Sequence, residues 1–409
     1  MKKIHVLAAV CTLFLLGSCG SEDDGFTSIT DDAPLVAEED VVTPANVRSY
    51  MVDANATDET VALFYNLWKL QKTKYLIGQQ DAFNGFYGAG GDSDIKKATG
   101  KDPGLLGSDF MFITDDQNTG EDWNWFHQQE VIITDDMKEA YNRGMVNIMS
   151  WHIREPYEGA SFYTNDMTDF QKQNAFASIL PGGENHEYYK AKLDKVASVL
   201  NNLKGADNKL IPVIFRPFHE FDGNWFWWGA AWCTPAQYQQ VWQFTVQYLR
   251  DTKNVHNVLY SYAPDNSYTT SGQYLQRYPG DEFIDVLGMD NYGDLAAGAS
   301  NGIATANNKL KMVSDLAQQK VKIAALTETG WYVSGSTAPI NGFFNNNIYK
   351  VMTDNDVKLA FVMFWNNSNS GYYVPPSGQT NTQDFIDFAN KPESFMQNNM
   401  PDMYTIPAE

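Results

Sequence analysis

The sequence predicts an α/β fold, a single (β/α)8 TIM barrel, from three observations. Eight short apolar runs recur along the chain, amphipathic stretches lie between several of them, and polar side chains follow the runs where they end. Runs that alternate with helical stretches are typical of βα units and a parallel sheet. Barrel strands are buried on both faces, so their polar residues gather at the C-terminal ends, where active sites form. The competing architecture is a doubly wound open sheet, but Gly78-Gln79-Gln80-Asp81 is not the glycine-rich phosphate turn of that fold.

Each predicted strand is an apolar run that leads into a polar or glycine-rich loop. The eight are Tyr75 to Gln79, Ser108 to Thr114, Met145 to His152, Ile211 to Glu220, Val258 to Pro264, Phe283 to Tyr292, Lys322 to Glu328 and Leu359 to Trp365. The polar and aromatic residues at their ends are Gln79, Thr114, His152, Glu220, Asp265, Asp290 with Tyr292, Glu328, and Trp365 with Asn366. Two helices are also predicted. Tyr188 to Leu203 has apolar residues at helical spacing, and Pro235 to Leu249 follows a Thr234 cap.

The N-terminus predicts export. Two lysines precede the apolar run Val6 to Leu16, which is too short to span a bilayer and is typical of a secretory signal. Leu16-Gly17-Ser18-Cys19 resembles a bacterial lipobox, which predicts a signal peptide over 1–18 and a lipidated Cys19. The acidic Ser21 to Asp24 resembles the export tag of surface lipoproteins. We therefore expect an outer-membrane lipoprotein facing the cell surface or periplasm. The alternative is a plain signal peptide cut elsewhere.

Composition limits the remaining possibilities. Residues 19–46 are acidic and poor in large apolar side chains, which predicts a disordered tether before one catalytic domain over 47–409. With Cys11 in the signal and Cys19 lipidated, Cys233 has no disulfide partner, and no Cys/His cluster suggests a metal. A net charge of −21 argues against nucleic acid and anionic lipid surfaces and favours neutral ligands. We expect a monomer that meets the membrane only through its lipid anchor.

The most informative segment runs from Phe215 to Gly229. In it, Phe215-Arg216-Pro217-Phe218-His219-Glu220 leads into Phe221-Asp222-Gly223-Asn224-Trp225-Phe226-Trp227-Trp228-Gly229. Because polar side chains interrupt the rings, we expect some rings to form an exposed aromatic shelf beside an ionisable group. Sugars suit such a shelf, since their C–H faces stack on rings and their hydroxyls bond polar groups. The alternative is a Trp-rich core strand and turn.

Glu220 and Glu328 are the candidate catalytic pair. Retaining glycosidases need two carboxyl groups about 5 to 5.5 Å apart, and the ends of strands four and seven can converge over a barrel mouth. Period-2 alternation predicts that Arg216, Phe218 and Glu220 share one side of strand four, so that Arg216 points into the barrel. An inward guanidinium needs a partner, which is either the nucleophile or another carboxylate of the barrel.

These motifs, together with Thr327-Glu328-Thr329-Gly330, resemble glycoside hydrolase family 26, typified by β-mannanases, over roughly residues 47–388. The resemblance implies a retaining endo-β-1,4-mannanase that needs no cofactor, with Glu220 as acid/base and Glu328 as nucleophile. It implies that His219 orients the acid or the sugar. The further sugar contacts that it implies are His152, Trp225, Tyr292 and Trp365. From the residues alone, His152 also fits a core histidine, Tyr292 a packing residue and Trp365 a lid on the core.

Other functions stay open at this point. The resemblance extends to mannobiose-releasing enzymes, β-1,3-xylanases and mixed-linkage glucanases, and some members carry Arg after the strand-eight Trp, where this chain has Asn366. A hypothesis of another class is a non-catalytic surface lipoprotein that binds glycans. The presence of both carboxylates favours the hydrolase.

Overall fold

The computed structural model describes residues 40–83, 92–159, 161–299 and 301–408. The predicted signal peptide, Cys19 and most of the predicted tether lie outside these residues. The compact unit begins at Val41, and Val42 is already buried in its core.

The described chain forms a closed barrel of eight parallel strands, which confirms the predicted (β/α)8 fold. Neighbours along the chain pair in order, and the last strand pairs with the first to close the barrel. The barrel strands are β1 Tyr75–Gln80, β2 Leu105–Asp109, β3 Val146–Trp151, β4 Val213–Pro217, β5 Val258–Tyr262, β6 Val286–Asn291, β7 Ile323–Thr329 and β8 Phe361–Phe364. Short strands outside the barrel are Val333–Ser334, Gly371–Tyr372 and Ser394–Phe395.

The second strand was predicted at Ser108 to Thr114 and is found at Leu105–Asp109, so that prediction was wrong. The Asp109 side chain accepts a hydrogen bond from the Met111 N–H at 2.7 Å and starts a turn, in which Thr114 bonds back to Phe110. The apolar residues after Asp109 belong to a loop. Asp109, not Thr114, therefore stands at the end of β2.

The helices surround the barrel. They are α1 Asp58–Leu70, α2 Asp94–Thr99, α3 Trp125–Asn142, α4 Asp169–Ser178, α5 His186–Asn202, α6 Pro235–Gln247, α7 Ser271–Tyr274, α8 Gly302–Lys320, α9 Tyr349–Thr353 and α10 Thr382–Ala389. The two predicted helices are α5 and α6, and Thr234 with Gln237 forms a capping box at the start of α6. None of the helices in the described ranges is long and apolar enough to cross a bilayer.

Two buried layers leave one end of the barrel free for a site. Inside the barrel, Leu76, Ile148 and Ile214 pack in one cluster with Phe64 and Leu67 of α1, which closes the end where the strands begin. A second cluster fills the space between the strands and the outer helices. The polar residues at the C-terminal ends of the strands therefore meet at the opposite mouth.

Candidate active site

Glu220 reaches the mouth through an unusual turn after β4. Phe218 and Glu220 both have left-handed backbone angles, with φ of 50° and 51°, a conformation that costs a non-glycine residue energy and is concentrated at functional sites. The Glu220 N–H donates to the Ala263 carbonyl at 2.8 Å and ties this turn to the loop after β5. Because of the turn, Phe218 packs in the outer layer against Tyr238. The prediction that Phe218 lies on the same side of strand four as Arg216 and Glu220 was therefore wrong.

Arg216 lies fully buried inside the barrel beneath this turn. Its guanidinium donates to Asp290 Oδ2 at 2.6 Å, to Ser150 Oγ at 2.9 Å and to Glu328 Oε1. Burial opposes its charge, but Asp290 and Glu328 outweigh this and raise the pKa of Arg216. The sequence left two candidate partners for Arg216, the nucleophile or another carboxylate of the barrel. Arg216 contacts both, as Glu328 and Asp290.

Glu328 accepts hydrogen bonds at both carboxyl oxygens. Arg216 donates to Oε1, and the Tyr292 hydroxyl donates to Oε2 at 3.0 Å. An irregularity in the pairing of β6 and β7 sets Asp290 beside Glu328, and Thr327 donates to the other Asp290 oxygen at 2.6 Å. Burial raises the pKa of Asp290 well above its usual range, while the Arg216 charge and the Thr327 hydrogen bond oppose this rise.

Glu220 stands opposite in a different environment. Carboxyl oxygens of Glu220, Asp290 and Glu328 all lie within 4.8 Å of one another. Burial, followed by the charges of Glu328 and Asp290, raises the pKa of Glu220 well above its usual range. The Trp225 indole N–H donates to Glu220 Oε2 at 2.6 Å. The two facing carboxyl groups therefore differ, because Glu328 is bonded to the Arg216 cation whereas Glu220 lies where its pKa is raised.

Three carboxyl groups at this spacing also suit a divalent cation in principle. Here Arg216 already donates to Asp290 and Glu328 and supplies positive charge between them. A cation at this position would have to compete with the Arg216 guanidinium for the same carboxyl oxygens.

Two histidines lie beside Glu220. The His219 ring is buried, and burial, with Arg216 and His152 nearby, holds its pKa well below the usual range, so it is neutral. The His152 ring meets it edge to face at 4.6 Å and bonds through Nδ1 to Asp109 Oδ2 at 2.5 Å. Sequence reasoning missed Asp109 because the predicted second strand ran past it.

The aromatic run contributes fewer exposed rings than expected. Trp227 and Trp228 are fully buried, and Trp228 donates to the His219 carbonyl at 2.7 Å, whereas Trp225 is 37% exposed. A Cβ at Gly223 would lie 2.3 Å from the Trp225 ring, so the indole packs directly on this glycine. The expected shelf is, within this run, mainly the ring of Trp225.

A cavity of about 210 Å³ opens on the other side of the site. Trp365 and His152, whose rings are 6.2 Å apart, form one wall. Asp81, which directly follows β1, and Asp136 of α3 also line the cavity. Sequence reasoning missed both residues. Nothing in the local sequence marks Asp136 as a neighbour of Asp81.

A parallel barrel with two facing carboxyl groups at its mouth, one of them with a raised pKa, is the arrangement of a glycoside hydrolase.

The comparison with known proteins gives the family. Glycosyl hydrolase family 26 matches residues 52–373, and the chain belongs to this family. The structure of GH26C from Muricauda sp. is 54% identical, with a TM-score of 0.89, and the match covers 91% of this chain and 100% of that chain. A GH26 beta-mannanase from Bacteroides ovatus is 33% identical, with a TM-score of 0.77, over 86% of this chain and 99% of that chain.

A mannan endo-1,4-beta-mannosidase of Bifidobacterium adolescentis is 34% identical over 362 residues, which is 84% of this chain. The chain spans 35% of the length of that relative, and 52% of a Bacillus subtilis mannan endo-1,4-beta-mannosidase that is 27% identical.

Proposed function

We propose that the protein is a retaining endo-β-1,4-mannanase acting on mannan, galactomannan or glucomannan. The observation that carries the mechanism is the 4.8 Å limit on the separation of the Glu220 and Glu328 oxygens. Inverting enzymes place their carboxyl groups about 6.5 to 9.5 Å apart to admit a water molecule, whereas retaining enzymes keep them about 5 to 5.5 Å apart. The spacing favours double displacement.

In the first step Glu328 attacks the anomeric carbon while Glu220 gives its proton to the departing glycosidic oxygen. The covalent glycosyl-enzyme forms as the aglycone leaves. In the second step Glu220, now ionised, takes a proton from water, the water oxygen attacks the anomeric carbon, and Glu328 is released. Arg216 is a positioning residue that donates to the Glu328 carboxyl and places a positive charge beside it.

The proposed sugar contacts surround this pair. Trp225 offers a ring face beside Glu220, Trp365 and His152 form a wall of the cavity, and Tyr292 bonds the nucleophile. His219, neutral and packed against His152, is proposed to orient the acid or the sugar.

The substrate assignment is supported by the relatives named mannan endo-1,4-beta-mannosidase and by the Bacteroides β-mannanase. The test is incubation with mannan, galactomannan, glucomannan, xylan and mixed-linkage glucan, with the products sized over time. We expect a ladder of oligosaccharides from the mannans, which indicates endo action. Mannobiose alone as the early product identifies a mannobiose-releasing enzyme, and preference for another polymer contradicts the substrate proposal.

The catalytic roles are separated by two variants. Glu328→Ala should abolish turnover with the fold intact by circular dichroism, and near-normal activity contradicts its role. Glu220→Ala should lose activity on polymer and be partly rescued on aryl glycosides, whose leaving groups need no protonation in the first step. Equal loss on both substrate types contradicts the acid role.

We also propose that the protein is a monomeric outer-membrane lipoprotein attached through Cys19. The support is the sequence pattern around Cys19. Fractionation of cells that express the full chain or Cys19→Ala tests it. Membrane association of both forms alike contradicts the anchor.

A further inference from the structure

The start of α3 presents large apolar side chains to solvent. Trp123 and Trp125 are 75% and 47% exposed, and Val131 and Ile132, further along the helix, are 45% and 36% exposed. A cluster of exposed aromatic and aliphatic side chains on one segment marks a binding surface more often than chance placement.

The segment that carries these rings is held by its own hydrogen bonds. Asn124 caps α3 by accepting from the His127 N–H at 3.0 Å and donates to the Gln117 carbonyl at 2.9 Å. Asn118 donates to Glu130 Oε2 at 2.7 Å. Because this segment is already ordered, little conformational entropy is lost when a ligand binds to its rings, and this favours affinity.

The exposed surface is continuous with the candidate active site. The Trp125 ring packs edge to face on Phe112, with ring centroids 5.1 Å apart. Phe112 and Ile132 line the same 210 Å³ cavity as His152 and Trp365. The exposed Trp125 ring therefore adjoins the cavity through its contact with Phe112.

Charge selects the kind of ligand. The acidic groups that line the cavity are the carboxyls of Asp81, Asp109 and Asp136, and among the described residues no lysine or arginine lines it. Glu121 and Asp122 are exposed just before the rings. With no cationic side chain in the cavity and with Glu121 and Asp122 beside the rings, nothing there attracts anionic polymers or anionic lipid surfaces. A neutral chain rich in hydroxyl groups can stack its C–H faces on the rings and form hydrogen bonds with the carboxyl groups.

We propose that Phe112, Trp123, Trp125 and Ile132, the α3 platform, bind sugar units of a neutral glycan chain that extends beyond the cavity at His152 and Trp365. This proposal rests on the proposed function. The platform increases affinity for polymer and long oligosaccharides, while short substrates that end within the cavity do not use it.

The experiment compares Trp123→Ala/Trp125→Ala with the unmodified protein and with Tyr65→Ala. Tyr65 is a half-buried aromatic residue of α1, at the closed end of the barrel. We expect kcat/KM on galactomannan to fall about tenfold, equivalent to about 1.4 kcal/mol, while kcat/KM on a short oligosaccharide stays within about twofold. Trp123→Phe/Trp125→Phe, which keeps flat rings, should restore most of the loss. Tyr65→Ala should change neither.

Binding without turnover separates the platform from the catalytic proposal. In a Glu328→Gln background, native gels cast with galactomannan should retard the protein, and the double variant should lose this retardation. If the unmodified protein hydrolyses no β-mannan, the proposed function fails, but gels cast with other neutral glycans still decide whether the platform binds. Unchanged retardation in every glycan overturns the platform.

Three further results overturn the proposal. Equal losses on short and long substrates mean that the two tryptophans only support the fold of the site. A difference in sedimentation coefficient between the unmodified protein and Trp123→Ala/Trp125→Ala means that the surface joins two copies of the chain. Binding of the unmodified protein to phosphatidylcholine vesicles, lost in the double variant, means that it meets a lipid surface.

Discussion

Replacing Trp225 by Phe removes one hydrogen bond from the proposed acid but keeps an aromatic ring beside it. The indole N–H lies 2.6 Å from Glu220 Oε2, and this bond works against the burial and the neighbouring charges that raise the pKa of Glu220. Because the N–H stabilises the carboxylate more than the neutral acid, its loss should raise the pKa of Glu220 further.

The size of the effect follows from the bond. A hydrogen bond to a charged group contributes about 1.5 to 3 kcal/mol. Because Trp225 is 37% exposed and water can replace part of the bond, we use the lower end of this range. About 1.4 kcal/mol is a factor of ten in the ionisation equilibrium, so the basic limb of the pH profile should move up by about one pH unit.

The assay is kcat/KM against pH on mannan oligosaccharides, whose leaving groups need a proton. On an aryl glycoside with a good leaving group the basic limb should depend much less on Glu220. Trp232→Phe is the matched control, because the Trp232 N–H donates to the Asn224 carbonyl on the same loop. A limb that stays in place or moves down in Trp225→Phe, with activity retained, refutes the reasoning.

Three other substitutions test the geometry of the site. Arg216→Met leaves buried carboxylates without their cation and should lower the free energy of unfolding by about 3 to 5 kcal/mol in urea titrations, with part restored by Asp290→Asn. Gly223→Ala places a methyl group 2.3 Å from the Trp225 ring, so KM for polymer should rise while the melting temperature changes little. Burial and neighbouring carboxylates raise the pKa of Asp81 to about 8. Its ionisation in the folded state therefore costs stability as pH rises from about 4 to 8, and Asp81→Asn should raise the melting temperature more at pH 8 than at pH 5.

Each of these has a result that contradicts it. For Arg216→Met it is unchanged stability. For Gly223→Ala it is an unchanged KM, and Gly272→Ala is its control, since a Cβ there meets nothing within 4 Å. For Asp81→Asn it is a change in melting temperature that is the same at both pH values.

The barrel was predictable because its strands are buried on both faces. Such strands need continuous apolar side chains, a local property that a single sequence displays, and polar residues can appear only where burial ends. For this reason Glu220 and Glu328 could be picked out together although 108 positions separate their numbers in the chain.

Features that depend on the backbone turning back, or on distant elements meeting, were not predictable in this way. The left-handed turn at Phe218 and Glu220 breaks the period-2 pattern, and no residue there is a glycine that would have signalled it. The end of β2 is set by the side chain of Asp109 rather than by the end of an apolar run. Asp136 lines the cavity because α3 packs beside β2 and β3.

The distribution of donors around the three carboxyl groups assigns their roles. Three ionised carboxylates within 4.8 Å of one another, with one guanidinium, would leave net negative charge in a poorly solvated site, so one group retains a proton. Glu328 accepts from Arg216 and Tyr292. Asp290 accepts from Arg216 and Thr327, and although burial raises its pKa well above the usual range, the Arg216 charge and the Thr327 hydrogen bond oppose that rise. Glu220 accepts only from the neutral Trp225 indole among the described side chains. This difference supports the proposal that Glu220, after β4, is the acid and that Glu328, in β7, is the nucleophile.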